Sequence, residues 1–129
     1  MRDGDYGAFA WYPTDEVLDR WMALYHELTT RNGAQADAGR RLKAWARAAG
    51  FESVVETSSN WTFQSDEERA WWGGLWADRV RYSRIAEQAV EYGLSDTDEL
   101  ERIAEAWLRW ADSDDAVIVI PHVEILARG

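Results

Sequence analysis

Only two stretches of this sequence read as β-strands, and a long helical stretch separates them. The first is Phe51 followed by "ESVVETSSNWTF" (Glu52–Phe63), rich in Val, Thr and aromatic residues. The second is "AVIVIPHVEILARG", apolar on both faces at its start, as suits a strand covered on both sides within a sheet. Pro121 interrupts it and supplies no N–H, so a bulge or an unpaired position is expected there. Two strands cannot build a full doubly wound sheet. The order helix, helix, strand, helix, helix, strand therefore reads as part of a larger α/β domain.

The helices are marked by their ends. Pro13 bars a helix before it, and Thr14 is placed to cap the one after. Val17, Leu18, Trp21, Leu24, Tyr25 and Leu28 recur at helical spacing up to the stop at Asn32-Gly33. Asp37 is placed to cap a second helix that runs through Leu42 and Trp45 to Gly50. Ser65-Asp66-Glu67-Glu68 forms a capping box. It launches a helix carrying Trp72, Leu75, Trp76 and Val80, which continues with a kink near Tyr82-Ser83 to Gly93. Ser95-Asp96-Thr97-Asp98 opens another helix, with Leu100, Ile103, Ala104, Trp107 and Ala111 as its apolar stripe.

Composition excludes several classes. Asp+Glu total 24 against 14 Lys+Arg, a net charge of -10, which repels nucleic-acid phosphates and anionic membrane surfaces. There is no cysteine, so disulfides, thiolate nucleophiles and Cys-based metal sites are out of reach. No apolar run approaches the length of a membrane span and no signal core opens the chain, which reads as a cytoplasmic protein. His26 and His122 belong to no metal-ligand pattern and read as hydrogen-bonded structural residues. No Gly-rich phosphate loop and no nucleophile elbow occur.

The positive signal is aromatic. Tyr6, Phe9, Trp11 and Tyr12 cluster before the first helix, and Trp71, Trp72 and Trp76 surround Gly73-Gly74 in "RAWWGGLWADRV". Each helical glycine costs about 1 kcal/mol relative to alanine, so the pair calls for close approach to a neighbour. The rings either pack as core or line a cavity for a flat or cationic ligand.

"AGRRLKAWARAAGFESV", "WTFQSDEERAWWGGLWADRV", "AEQAVEYGLSDTDELERIAEAWLRWADSDDA" and "VEILARG" together resemble the C-terminal half of a class I SAM-dependent methyltransferase. The branch is the type 11, ubiquinone/menaquinone-biosynthesis-like enzymes, especially those of actinobacteria. "RDGDYGAFAWYP" resembles the end of that family's fifth strand and the loop after it. The resemblance implies an α/β, Rossmann-like fold of which residues 1–129 are one partial, mostly helical domain. Glu52–Phe63 and Ala116–Arg128 would form an antiparallel pair, the latter inserted between its neighbours. Two helices, about residues 65–111, would be an insertion between these strands, and the first four strands would precede Met1.

The resemblance implies methyl transfer from S-adenosyl-L-methionine to a small-molecule acceptor. Tyr6, Trp11, Tyr12, Trp72, Trp76 and Arg79 would bind the acceptor, and Asp3 is a candidate for orienting its hydroxyl or acting as base. The Gly-rich cofactor loop of the family is absent, so this chain alone is expected to bind no cofactor and to be inactive. No metal, nucleic acid or membrane insertion is expected. The alternative is a non-catalytic binding or interaction module with an aromatic surface. In either case an exposed sheet edge and apolar face would favour self-association.

Overall fold

A computed structural model describes all residues, Met1–Gly129, as a mixed α/β protein with five α-helices and an antiparallel sheet. The strands are β1 (Arg2–Gly4), β2 (Ala10–Tyr12), β3 (Ser53–Phe63) and β4 (Val117–Arg128). The helices are α1 (Glu16–Arg31), α2 (Leu42–Ala48), α3 (Asp66–Tyr82), α4 (Arg84–Glu91) and α5 (Thr97–Asp112). The sheet thus has two strands more than the two legible runs, because β1 and β2 are only three residues each.

β4 is the centre of the sheet. β3 pairs along its whole length on one side, from Ser53↔Arg128 to Phe63↔Ile118. On the other side β1 and β2 pair with its two ends, Arg2↔Glu124 and Tyr12↔Val117, as two pieces of one interrupted strand. The last strand therefore lies antiparallel between its neighbours, as expected. The interruption falls opposite Pro121, whose carbonyl accepts from Asp5 N–H at 3.1 Å. In an antiparallel strand a residue's N–H and C=O point to the same side. The donor that Pro121 lacks would have faced the gap between β1 and β2, where no partner waits.

One face of the sheet carries the core. Ile118 and Ile120 of β4 are buried against α1, α3 and α5, while Val117, Val119, Pro121 and Val123 on the opposite face stay half-exposed. Coverage on both faces was expected, but α2 reaches only the far end of the second face, near Ile125 and Ala127. The helical stretch between β3 and β4 is three helices rather than two. Its kink is a full break at Ser83, which ends α3 and starts α4.

Capping follows the sequence in part. Ser65 and Glu68 form the reciprocal capping box of α3, and Asp96 caps α5 by accepting from Glu99 N–H at 2.7 Å. Asp15, not Thr14, caps α1, accepting from Val17 N–H at 2.8 Å. Asp37 caps no helix. Its carboxylate instead accepts from Gly7 N–H at 2.7 Å and bonds His26 Nε2 at 2.8 Å. Asp5, 3% exposed, serves the entry to α2, accepting from the Arg40 backbone N–H at 3.1 Å and its guanidinium at 2.6 and 2.8 Å.

Gly73 answers the question raised by the Trp-Gly-Gly stretch. A Cβ there would stand 2.8 Å from both the Trp107 carbonyl oxygen and Ala111 Cβ, so α3 rests directly on α5. Gly74 has no such neighbour within 4 Å. Around this contact Trp21 meets Trp76 and Trp107 edge-on, with centroids 4.8 and 4.9 Å apart, an arrangement that ring quadrupoles favour. Arg69 is buried at the same junction. It donates to the Ala111 and Gln64 carbonyls at 3.2 and 2.5 Å and to Asp66 at 2.6 Å, tying the start of α3 to the end of α5.

Candidate functional site

The 3₁₀ turn Tyr6–Ala8 sits in the gap between β1 and β2, and Tyr6, with Phe9 just after the turn, packs towards the helices. The Tyr6 ring stacks on Phe9 at 4.4 Å and on Tyr25 of α1 at 4.2 Å, and meets Trp76 edge-on at 6.4 Å. The Arg79 guanidinium lies 5.0 Å above the Trp76 ring. Burial holds the Tyr6 phenol well above its ordinary range. Tyr25 and Asp3 push the same way, and Arg79 opposes them. Tyr6 is therefore a neutral hydroxyl at physiological pH, a hydrogen-bonding group rather than a base.

Of the residues marked from sequence, Tyr6, Trp76 and Arg79 come together here, with Tyr25 as an added member, and Asp3 acts on Tyr6 only as a nearby charge. Tyr25 was legible only as part of the apolar stripe of α1; nothing in its spacing announced a second hydroxyl. Trp76 is 1% exposed and Trp72 is buried between Phe9 and Phe63, so both are core residues whose side chains floor the cluster. Trp11 turns inward and packs edge-on to Trp21 at 6.1 Å. Tyr12, one residue on, faces the opposite side of the sheet and is 57% exposed, as strand alternation requires. Tyr12 is therefore remote from Tyr6. Asp3 is exposed and accepts from Gly4 N–H at 2.8 Å, a local turn bond.

The polar groups of this cluster are two phenol hydroxyls, one guanidinium and one carboxylate. Both faces of the Tyr6 ring are covered, so a flat ligand cannot stack on it. Arg79 can pair with an anionic or hydrogen-bonding oxygen, and the Tyr6 hydroxyl can donate to or accept from the same group.

The turn is held from behind by a polar clamp. Tyr6 N–H donates to the Ala36 carbonyl at 3.1 Å, and Gly7 N–H to Asp37. His26 bonds the Met22 carbonyl at 2.9 Å through Nδ1 and Asp37 through Nε2. Both ring nitrogens face acceptors, so only the imidazolium donates to both. Partial burial works against that charge, but the Met22 and Asp37 bonds outweigh it and raise the His26 pKa. For Asp37, burial is outweighed by His26, Gly7 and Arg40, which lower it. His122 is buried, with Nδ1 3.1 Å from the Ile120 carbonyl and its ring against Trp61 at 4.2 Å. No cluster of three His, Asp or Glu side chains is placed to hold a metal ion. No helix is long and apolar enough to cross a membrane.

No family model matches the chain. Over 99 residues, 75% of its length, the chain is 34% identical to a protein of Schizosaccharomyces pombe (strain 972) named "Uncharacterized methyltransferase C1B3.06c". That match takes in 35% of the yeast protein, so the chain spans about a third of this relative's length. Over 120 residues, 88% of the chain and 87% of the other protein, it is 29% identical to "Protein A2" of Escherichia phage T5. The chain is thus similar to one region of a protein named as a methyltransferase and to most of a phage protein whose name states no activity.

Proposed function

We propose that the chain is the acceptor-side region of a SAM-dependent methyltransferase of the class I, type 11 kind, acting on a small molecule. The similarity to the yeast methyltransferase carries this reading. The placement of β4 between β1 and β3 is consistent with it. In this reading Arg79 and the Tyr6 hydroxyl hold an acceptor oxygen, Tyr25 and Asp3 border it, and Trp76 keeps the floor dry.

The residues around Tyr6 do not fit S-adenosyl-L-methionine itself. The N-termini of α1, α3 and α5 are closed by Asp15, Ser65 and Asp96, and the Gly7 N–H that follows β1 is taken by Asp37. The ring faces that would meet a sulfonium are covered: Trp76 by Arg79, Tyr6 by Phe9 and Tyr25. In this reading the cofactor is held by residues outside these 129, and the chain alone binds none.

The test is a graft. The chain replaces the matching region of the yeast protein, and S-adenosyl-L-methionine binding is measured by calorimetry for the graft, the yeast parent and the folded chain alone. Binding by graft and parent but not by the chain alone is the expected pattern. A folded graft that has lost binding, or a chain that binds by itself, would overturn the reading. One observation favours a second reading, a non-catalytic interaction module. The phage protein matches this unit over most of its own length, and so contains little beyond it.

A further inference from the structure

At the end of the sheet remote from the Tyr6 cluster, α2 leans on the last residues of β4 and leaves a groove. Its volume is about 480 Å³. Leu42, Trp45 and Ala46 of α2, Ala49 and Phe51 just after it, Ile125 to Ala127 of β4 and Met1 line it, and all of its lining side chains are apolar. The groove is open to solvent: Trp45 is 47% and Leu126 60% exposed. Large apolar side chains left uncovered in one concave place mark a binding surface.

The charges beside it run against the rest of the molecule. The chain carries 24 acidic and 14 basic residues, yet Gly39–Phe51 holds Arg40, Arg41, Lys43 and Arg47 and no acid. Arg40 is spent on Asp5. Arg41 and Lys43 flank the groove residue Leu42, and neither forms an ion pair. Glu52, next to Phe51, and Glu56, which pairs with Ile125 of the lining, are the acids at the rim.

We propose that this groove binds a small anionic amphiphile, a medium- or long-chain carboxylate, with its hydrocarbon in the groove and its head beside Arg41 and Lys43. An all-apolar lining asks for a hydrocarbon body. Unpaired cations on an otherwise acidic protein select an anionic head over a neutral or cationic one. Concavity selects a single molecule over a bilayer, which would need a convex apolar face. A symmetric contact with a second copy would bring the same cations together.

The probe is sodium decanoate, titrated into the whole chain by calorimetry below its micellar range, with decyltrimethylammonium as the cation of equal length. Saturable one-site binding of decanoate is expected, with weaker binding of the ammonium. Ala49→Trp, which fills the groove from an exposed position, should abolish it. Arg41→Glu with Lys43→Glu, both at the surface, should weaken decanoate about tenfold, about 1.4 kcal/mol of attraction lost, while favouring the ammonium. Circular dichroism checks that each variant is folded, and if Ala49→Trp fails to fold the charge pair decides. The proposal is overturned by an absence of binding, by equal binding of the two head groups, or by decanoate binding that a folded Ala49→Trp leaves intact. Binding to phosphatidylglycerol vesicles with none to free decanoate would overturn it in favour of a membrane surface.

Discussion

Alanine at the two adjacent helical glycines should act with opposite signs. In a helix interior, Gly→Ala gains about 1 kcal/mol when nothing obstructs the methyl. Gly74 meets that condition, with nothing within 4 Å of the added Cβ, so Gly74→Ala should stabilise by about 1 kcal/mol. At Gly73 the same methyl would lie 2.8 Å from the Trp107 carbonyl oxygen and from Ala111 Cβ. Neither is the end of a flexible side chain, so α3 and α5 must separate. That disturbs the Trp21, Trp76 and Trp107 packing on which the core rests. Overpacking of this kind costs about 1–3 kcal/mol, and two contacts with rigid atoms put the cost at the upper end. Net of the propensity gain, Gly73→Ala should destabilise by about 1–2 kcal/mol. The two variants should therefore differ by about 2–3 kcal/mol, which at this chain length is roughly 10 °C in midpoint temperature. Urea denaturation followed by circular dichroism reads both. A Gly73→Ala variant as stable as Gly74→Ala would refute the argument that close α3–α5 contact requires this glycine.

Other perturbations follow from the buried polar groups. Asp5→Ala should destabilise by about 1–3 kcal/mol: it strips the acceptor from the Arg40 backbone N–H, while the half-exposed guanidinium returns to water. Denaturant titration measures the loss, and a change below a few tenths would contradict the clamp. Arg69→Met leaves the Ala111 and Gln64 carbonyls without their donor and should cost about 2–4 kcal/mol, whereas Asp66→Asn, at an almost fully exposed partner, should cost under about 0.5 kcal/mol. Comparable losses in the two would sink that distinction. The raised His26 pKa means its contribution is complete below the ordinary value of about 6.5 and fades as pH rises through the folded pKa. The lowered Asp37 pKa means its contribution is complete above about 3.9 and fades as pH falls through the folded value. The stability difference between the native chain and His26→Gln should therefore peak between about pH 4 and 6.5 and shrink at alkaline pH. A pH-independent difference would refute the imidazolium link.

Helix identity was legible where side chains close the ends. Ser65 with Glu68, Asp96, and the positive-φ glycines 33, 50 and 93 are local signals that survive in the fold. β1 and β2 were not legible as strands. Three residues are too few for alternation to show, and their pairing depends on β4, more than a hundred residues away. Asp37 shows the limit of local reasoning. As a cap it competes with long-range donors, and the Gly7 N–H and His26 win. The Tyr6 cluster was half legible. An aromatic run before a helix and a Trp-rich helix announced rings, but not which would be core. Trp72 and Trp76 went inside because Gly73 draws α3 down onto α5. Tyr12 went outside because it follows an inward Trp11 on a strand.

Every ladder in the sheet runs through β4. β1, β2 and β3 do not pair with one another, and β4 is the last strand in the chain. During synthesis the helices can begin to form early, since α3 and α5 are close in sequence. The three earlier strands have no partner at all until Val117–Arg128 emerges. The sheet then closes in one event, joining residues at the two ends of the described chain. Such closure carries a high loop entropy and belongs late on the folding route. Until it happens, the apolar faces of β3 and of the N-terminal aromatic run stay open to non-native contacts.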